Sequence, residues 1–234
     1  MTRRLNSDSQ DRSLQMFANG TGLTAVSVGY RLAPENPYPA AINDCIDVAE
    51  YLVDNPSLYG SVRFLGGESA GAYLALLTSF HLLRTRPSHK ISGLLLRYGE
   101  YDLAVGLPAI VKSTSSKALM IDRNAMERFN SAYLPSLSLE ERRDPSLSPL
   151  YEDLPALAAP SPNGLPPALF ICGAADPLLD DTLLMGMKWS IAGGESIVKV
   201  YPGAAHGFTV IPGLPVAEEA NAVSVQFMRE KLAV

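Results

Sequence analysis

At 234 residues and 47% hydrophobic, the chain can bury one sizeable core, and a single α/β domain over 1–234 is expected. A formal net charge of -5 and a sequence pI near 5.2 argue against a nucleic-acid partner. No apolar stretch is long enough to span a bilayer, and Met-Thr-Arg-Arg-Leu-Asn-Ser-Asp lacks the apolar segment of a signal peptide. The only basic pairs, Arg3-Arg4 and Arg142-Arg143, read as solvated surface. Cys45 and Cys172 lie in apolar contexts without metal-type spacing, which predicts buried free thiols in a reducing, cytoplasmic compartment. No Cys/His cluster points to a metal.

Along the chain, Ser7 or Asp8 can cap a first helix to about Asn19, closed by Gly20-Thr21-Gly22. Leu23–Val28, β-branched and mostly apolar, predicts a strand, and the proline-rich run Tyr30–Pro39 a non-helical connection. A helix follows at about Ala40–Val53, with Ile42, Cys45, Ile46, Ala49 and Leu52 or Val53 on one stripe. Further strands are expected at Val62–Leu65, Ile91–Tyr98, Ala168–Cys172 and Ser196–Tyr201. Helices are expected at about Tyr73–Leu83, Asp180–Ala192 and Pro215–Leu232. Strands alternating with helices imply βα units and a parallel sheet. Residues from about 100 to 167 differ: they are rich in Ser, Pro and charge, with a helix at about Arg123–Tyr133. An insertion of that length is a candidate lid or cap, the alternative being a surface excursion without a role.

The stretch between strand Val62–Leu65 and its following helix organises the chain. Gly67-Glu68-Ser69-Ala70-Gly71 puts G-x-S-x-G across a strand–turn–helix junction, the context of a nucleophile elbow. There a serine takes a strained backbone at the tip of the turn, and its flanking glycines keep side chains away from strand and helix. Ser69 would be the nucleophile and the Ala70 N–H one oxyanion donor. The plainer alternative is a βα turn with a serine helix cap.

A serine hydroxyl needs a base, and the base an orienting acid. His206 follows the last strand and Asp176 the preceding one, both at carboxyl ends, where open α/β sheets gather their ligands. Asp180 and Asp181 are rival acids inside the next helix's first turn. His81 shares an apolar helix face and reads as structural, and His89 sits in a polar loop and reads as solvated. The order Ser69, Asp176, His206 is the serine–acid–histidine order of α/β-hydrolases.

On Val26–Ala41, Gly67–Gly71, Asp176–Asp181 and His206-Gly207-Phe208, the sequence resembles the hormone-sensitive-lipase branch of the α/β-hydrolases, most of all its fungal esterases. The resemblance implies an α/β-hydrolase fold, with a mostly parallel sheet flanked by helices. It also implies hydrolysis of small-molecule carboxylic esters through an acyl-enzyme, without a cofactor. Glu68 and Ala72 depart mildly from residues common in that branch. One departure is larger: the branch's His-Gly-Gly-Gly loop, source of its other oxyanion donors, has no counterpart here. The resemblance therefore leads to the expectation of an N-terminally incomplete sheet, in a fragment, late-start product or mis-called gene. Without the intervening strand, Leu23–Val28 either pairs directly with the strand before the elbow or leaves a gap beside it. An impaired hydrolase-like binder is thus the alternative to an active esterase, and a serine peptidase a weaker one. The sequence does not specify an oligomeric state.

Overall fold

The computed structural model describes residues 11–113 and 120–233. Four parallel strands form the sheet, β1 (Phe64–Glu68), β2 (Gly93–Arg97), β3 (Ala168–Gly173) and β4 (Ser196–Tyr201), in spatial order β1-β2-β3-β4. The helices among the described residues are α1 (Asp11–Thr21), α2 (Ala40–Asp54), α3 (Pro56–Tyr59), α4 (Ala70–Thr85), α5 (Pro108–Lys112), α6 (Arg123–Tyr133), α7 (Leu154–Ala158), α8 (Leu179–Ile191) and α9 (Pro215–Leu232). None is long and apolar enough to cross a membrane. The register is continuous from β1 to β4, with Leu65 opposite Leu94, Leu95 opposite Leu169, and Phe170 opposite Val198.

The two-residue period of the strands builds two cores. Leu94, Leu96, Ala168 and Phe170 point to one face, against α2, α4 and α8, where Phe80 stacks on Trp189 with ring centroids 6.3 Å apart. Leu95, Leu169 and Ile171 point to the other, against Phe227 and Met228 of α9 and Phe17 of α1. Every residue of β2 and β3 is buried, as parallel strands covered on both faces require.

Most expected elements form, with shifted ends. The strand expected at Val62–Leu65 starts at Phe64 and runs on through Glu68 to the elbow. Helix α1 ends at Thr21, where Gly22 takes the left-handed conformation at φ 74° and bonds back to the Ala18 carbonyl. Its expected caps, Ser7 and Asp8, lie outside the described residues, as does the Arg3-Arg4 pair.

Three expectations are corrected. Leu23–Val28 is not a strand: it runs as irregular chain, with Val26 54% exposed. β-Propensity is stabilised only by a ladder and a packed face. Among the described residues this run does not pair with β1, which stands at the edge of the sheet. Arg142 is not solvated: it is buried, and its guanidinium donates to the Leu134 and Leu137 carbonyls. The last is Cys45, which is only half-buried where burial was expected; Cys172 is buried, and both thiols are free.

The segment from about 100 to 167 is more than a surface loop. Tyr101, Leu103, Leu147, Leu154 and Leu157 join the core beneath α4 and α8. Lys188 of α8 donates to the Leu150 carbonyl, and Arg84 of α4 donates to Glu152.

Candidate active site

Ser69 sits between β1 and α4 with φ 53° and ψ -120°, a left-handed conformation that costs a non-glycine residue on the order of 1–3 kcal/mol. The surroundings over-determine it. Its N–H donates to the Arg97 carbonyl on β2, and its carbonyl accepts from the N–H groups of Ala72 and Tyr73. Although Ser69 occupies the cap position of α4, its side chain makes no capping hydrogen bond, which removes the plain-cap alternative. The two flanking glycines differ. A Cβ on Gly67 would lie 2.3 Å from the Gly71 carbonyl carbon, so only glycine fits there. A Cβ on Gly71 would meet open space, so the expected steric need at that position is absent. Ala70 is the first residue of α4, and its N–H therefore has no intrahelical acceptor.

The freed hydroxyl points at a histidine. His206 Nε2 lies 2.9 Å from Ser69 Oγ, and His206 Nδ1 lies 2.9 Å from Asp176 Oδ2. A carboxylate can only accept, so Nδ1 carries the proton and Nε2 is left to accept from the serine. Asp176 is buried and held from below, its Oδ1 accepting the Leu178 N–H in a tight turn at the end of β3. His206 is buried and follows β4, with Gly207 in the left-handed region at φ 73°. Three strand ends thus bring together residues 69, 176 and 206.

The rivals have other employment. Asp180 accepts the Ala109 N–H, and Asp181 accepts the N–H groups of Tyr101 and Asp102, so both tie the segment after β2 onto α8. Burial, above all, pushes the Asp181 carboxyl up to about 7, against the lowering effect of those two N–H groups. His81 bonds Glu50 of α2 through Nε2 at 2.9 Å, far from Ser69 in role as expected. His89 is half-buried rather than solvated, and its ring nitrogen donates to the Val62 carbonyl.

Sequence reasoning missed the residues behind the histidine. The Tyr98 ring packs on the His206 ring with centroids 4.9 Å apart, and the Tyr98 hydroxyl lies 2.6 Å from Thr209 Oγ1. Thr209 in turn reaches Glu68, whose carboxylate is paired with the buried Arg97. The one local hint was Glu68 itself, a charged residue beside the elbow serine. An apolar wall also stands beside Asp176: Leu178 packs with Val105, Ile110 and Met126 from the 100–167 segment. Tyr133 at the end of α6 packs edge-on against Tyr38 and against Tyr73, one turn beyond Ser69.

The sequence profile of the alpha/beta hydrolase fold family matches residues 4–210. The acetyl esterase of Salmonella typhi is 29% identical over 210 residues, covering 87% of this chain and 61% of that protein. The chain thus spans about 61% of the length of the curated relatives it matches. A hyperthermophilic esterase from the archaeon Pyrobaculum calidifontis superimposes with a TM-score of 0.85 at 28% identity, over 98% of this chain and 73% of that one. An esterase from the bacterial hormone-sensitive lipase family gives 0.81 at 25% identity, over 95% and 71%.

Proposed function

Since the chain belongs to the alpha/beta hydrolase fold family, in its hormone-sensitive-lipase-like esterase branch, we propose that it hydrolyses carboxylic esters through an acyl-enzyme on Ser69. The observation that carries this reading is the pair of 2.9 Å contacts linking Ser69 Oγ, His206 and Asp176, with the serine strained into the elbow conformation. Ser69 Oγ attacks the ester carbonyl while His206 Nε2 takes the hydroxyl proton. The developing oxyanion accepts from the Ala70 N–H at the positive end of α4. His206 Nε2–H then protonates the departing alkoxide, leaving the acyl group on Ser69. A water, deprotonated by the same nitrogen, attacks the acyl carbonyl, and the serine leaves with its proton returned. Asp176 orients the imidazole and balances the charge it acquires.

In this reading the 100–167 segment shapes the pocket mouth. The Val105–Ile110–Met126–Leu178 cluster beside Asp176 and the Tyr38–Tyr73–Tyr133 group beyond Ser69 support it. So does the exposed Met120, whose Cε would lie 3.9 Å from a Cβ on Gly207. Acetyl esters are the first substrates to try, because the Salmonella relatives carry that name. The test is hydrolysis of p-nitrophenyl acetate and butyrate by the chain and by His206→Ala. Turnover that disappears in the variant supports the reading, and turnover that survives it refutes the assignment of the base. Met120→Ala should raise the butyrate-to-acetate ratio of kcat/KM, and an unchanged ratio would take Met120 out of the pocket wall.

A further inference from the structure

Behind His206, five buried or half-buried side chains from β1, β2, the turn after β4 and α9 form one connected run. Arg97, at the end of β2, donates from one guanidinium nitrogen to Glu68 Oε1 at 3.0 Å and from another to Ser224 Oγ at 2.8 Å on α9. Glu68 Oε1 also lies 3.2 Å from Thr209 Oγ1, which lies 2.6 Å from the Tyr98 hydroxyl. The proton directions follow from chemistry. A carboxylate paired with a guanidinium only accepts, so Thr209 spends its single proton on Glu68. Thr209 must then accept from Tyr98, whose hydroxyl burial holds in the protonated form. The run is therefore polar in one sense, from Tyr98 through Thr209 to Glu68, and ends on a fixed cation.

Its location gives it a task. Glu68 is the residue before Ser69, Thr209 lies in the turn that carries His206, and the Tyr98 ring packs on the imidazole at 64° between ring planes. Tyr98 reaches that position with φ 39°, a conformation disfavoured for a residue with a bulky side chain, held by its N–H bond to the Ile171 carbonyl. Asn221 of α9 adds a further tie by donating to the Thr209 carbonyl. Asp176 and Ser69 hold the two ring nitrogens of His206, both within the plane of the imidazole. The Tyr98 ring adds a packing contact against the ring itself.

We propose that Tyr98, Thr209 and Glu68 are positioning residues, a hydrogen-bonded brace that holds the His206 imidazole and the Ser69 hydroxyl in register. The proposal rests on the reading of Ser69 and His206 as nucleophile and base. Tyr98 and Thr209 are nearly inaccessible, so their hydrogen bonds operate in a medium of low polarity, where losing one has more effect than at the surface. Small displacements of a base from its nucleophile are kinetically expensive, up to about 100-fold for 1 Å.

The experiment compares Tyr98→Phe, Thr209→Val, Thr209→Ser and the Tyr98→Phe/Thr209→Val double variant with the parent chain and with Ser69→Ala. Two rates are measured: turnover of p-nitrophenyl acetate, and labelling of Ser69 by a fluorophosphonate, which reads serine activation even where turnover is slow. Thermal melts accompany both. Tyr98→Phe and Thr209→Val should each lower kcat and the labelling rate about 10-fold with KM nearly unchanged. Thr209→Ser keeps the bridging hydroxyl and should stay close to the parent. The double variant should be no worse than the poorer single, because either change breaks the same run. Equal losses in Thr209→Val and Thr209→Ser, multiplicative losses in the double, or a change confined to KM would overturn the brace. If the parent chain leaves Ser69 unlabelled, or if activity persists in Ser69→Ala, the hydrolase reading fails and the brace with it. Ser69-dependent activity that Tyr98→Phe and Thr209→Val leave untouched overturns the brace alone.

Discussion

Two short apolar runs have met opposite fates. Ala168-Leu-Phe-Ile-Cys172 lies in the middle of the sheet, every residue buried, paired with β2 on one side and β4 on the other. Leu23-Thr-Ala-Val-Ser-Val28, with more β-branched residues, forms no strand and leaves Val26 half exposed. Local propensity favours the second run at least as much as the first. What separates them is a neighbour: β3 has a hydrogen-bonding partner on each edge and an apolar layer on each face, and 23–28 pairs with none among the described residues. Strand formation is a property of the ladder. The candidate catalytic residues follow the same division, since all three stand at carboxyl ends of paired strands and none in the irregular stretch.

The sharpest way to test that division is at Ser69. Ser69→Ala should lower kcat for p-nitrophenyl acetate by roughly 10⁴–10⁶ while leaving the melting temperature close to that of the parent. A residual activity within tenfold of the parent would detach function from the elbow. Next in size comes the core of β3. Phe170→Ala removes a ring wedged between Tyr101 and Trp189 and should destabilise by about 3–5 kcal/mol, read by urea denaturation. A loss below about 1 kcal/mol would mean that the sheet centre is less tightly packed than its burial indicates.

A smaller, pH-dependent effect is expected at Asp181, which ties the segment after β2 to α8. Its carboxyl titrates at about 7 in the fold and near 4 in an unfolded chain. Between those values the unfolded chain holds the lower share of protons, so the carboxyl's contribution to stability falls as pH rises from about 4 to 7 and is flat above. Asparagine keeps an oxygen for the Tyr101 and Asp102 N–H groups and does not titrate. Asp181→Asn should therefore gain on the parent between pH 5 and pH 8 by a few degrees in Tm, at about 2–4 °C per kcal/mol. A constant gap across that range would place the titration elsewhere. The least effect belongs to the irregular run: Val26→Ser should change stability by no more than about 0.5 kcal/mol in urea. A loss of 2 kcal/mol would show that the run is packed in solution.

That Ser69, Asp176 and His206 come together was legible because each stands at a strand end and because the three fall in a recognisable order. Helices α2, α4, α6, α8 and α9 were legible, and α6, β4 and α9 fell within the limits expected, whereas the short α3, α5 and α7 were not foreseen. What stayed hidden depends on tertiary contacts that no local pattern announces. Nothing near Tyr98 indicates Thr209, 111 positions away, and nothing near Arg142 announces the two carbonyls that bury its guanidinium. The Leu23–Val28 error has the same origin, a local pattern taken for an element that only a neighbouring strand can complete. Gly71 errs in the opposite direction: the motif suggested a steric need, and the space around it is open.

The central claim is that His206 and Asp176 make Ser69 a nucleophile. Its most direct test is reaction of the chain with diethyl p-nitrophenyl phosphate, following p-nitrophenol release and then mapping the adduct by mass spectrometry. The account predicts one p-nitrophenol released per chain and one diethylphosphoryl group, on the peptide containing Ser69, with the reaction slowed at least about 100-fold in His206→Ala. An adduct on any other residue, or equal rates in parent and variant, would contradict it.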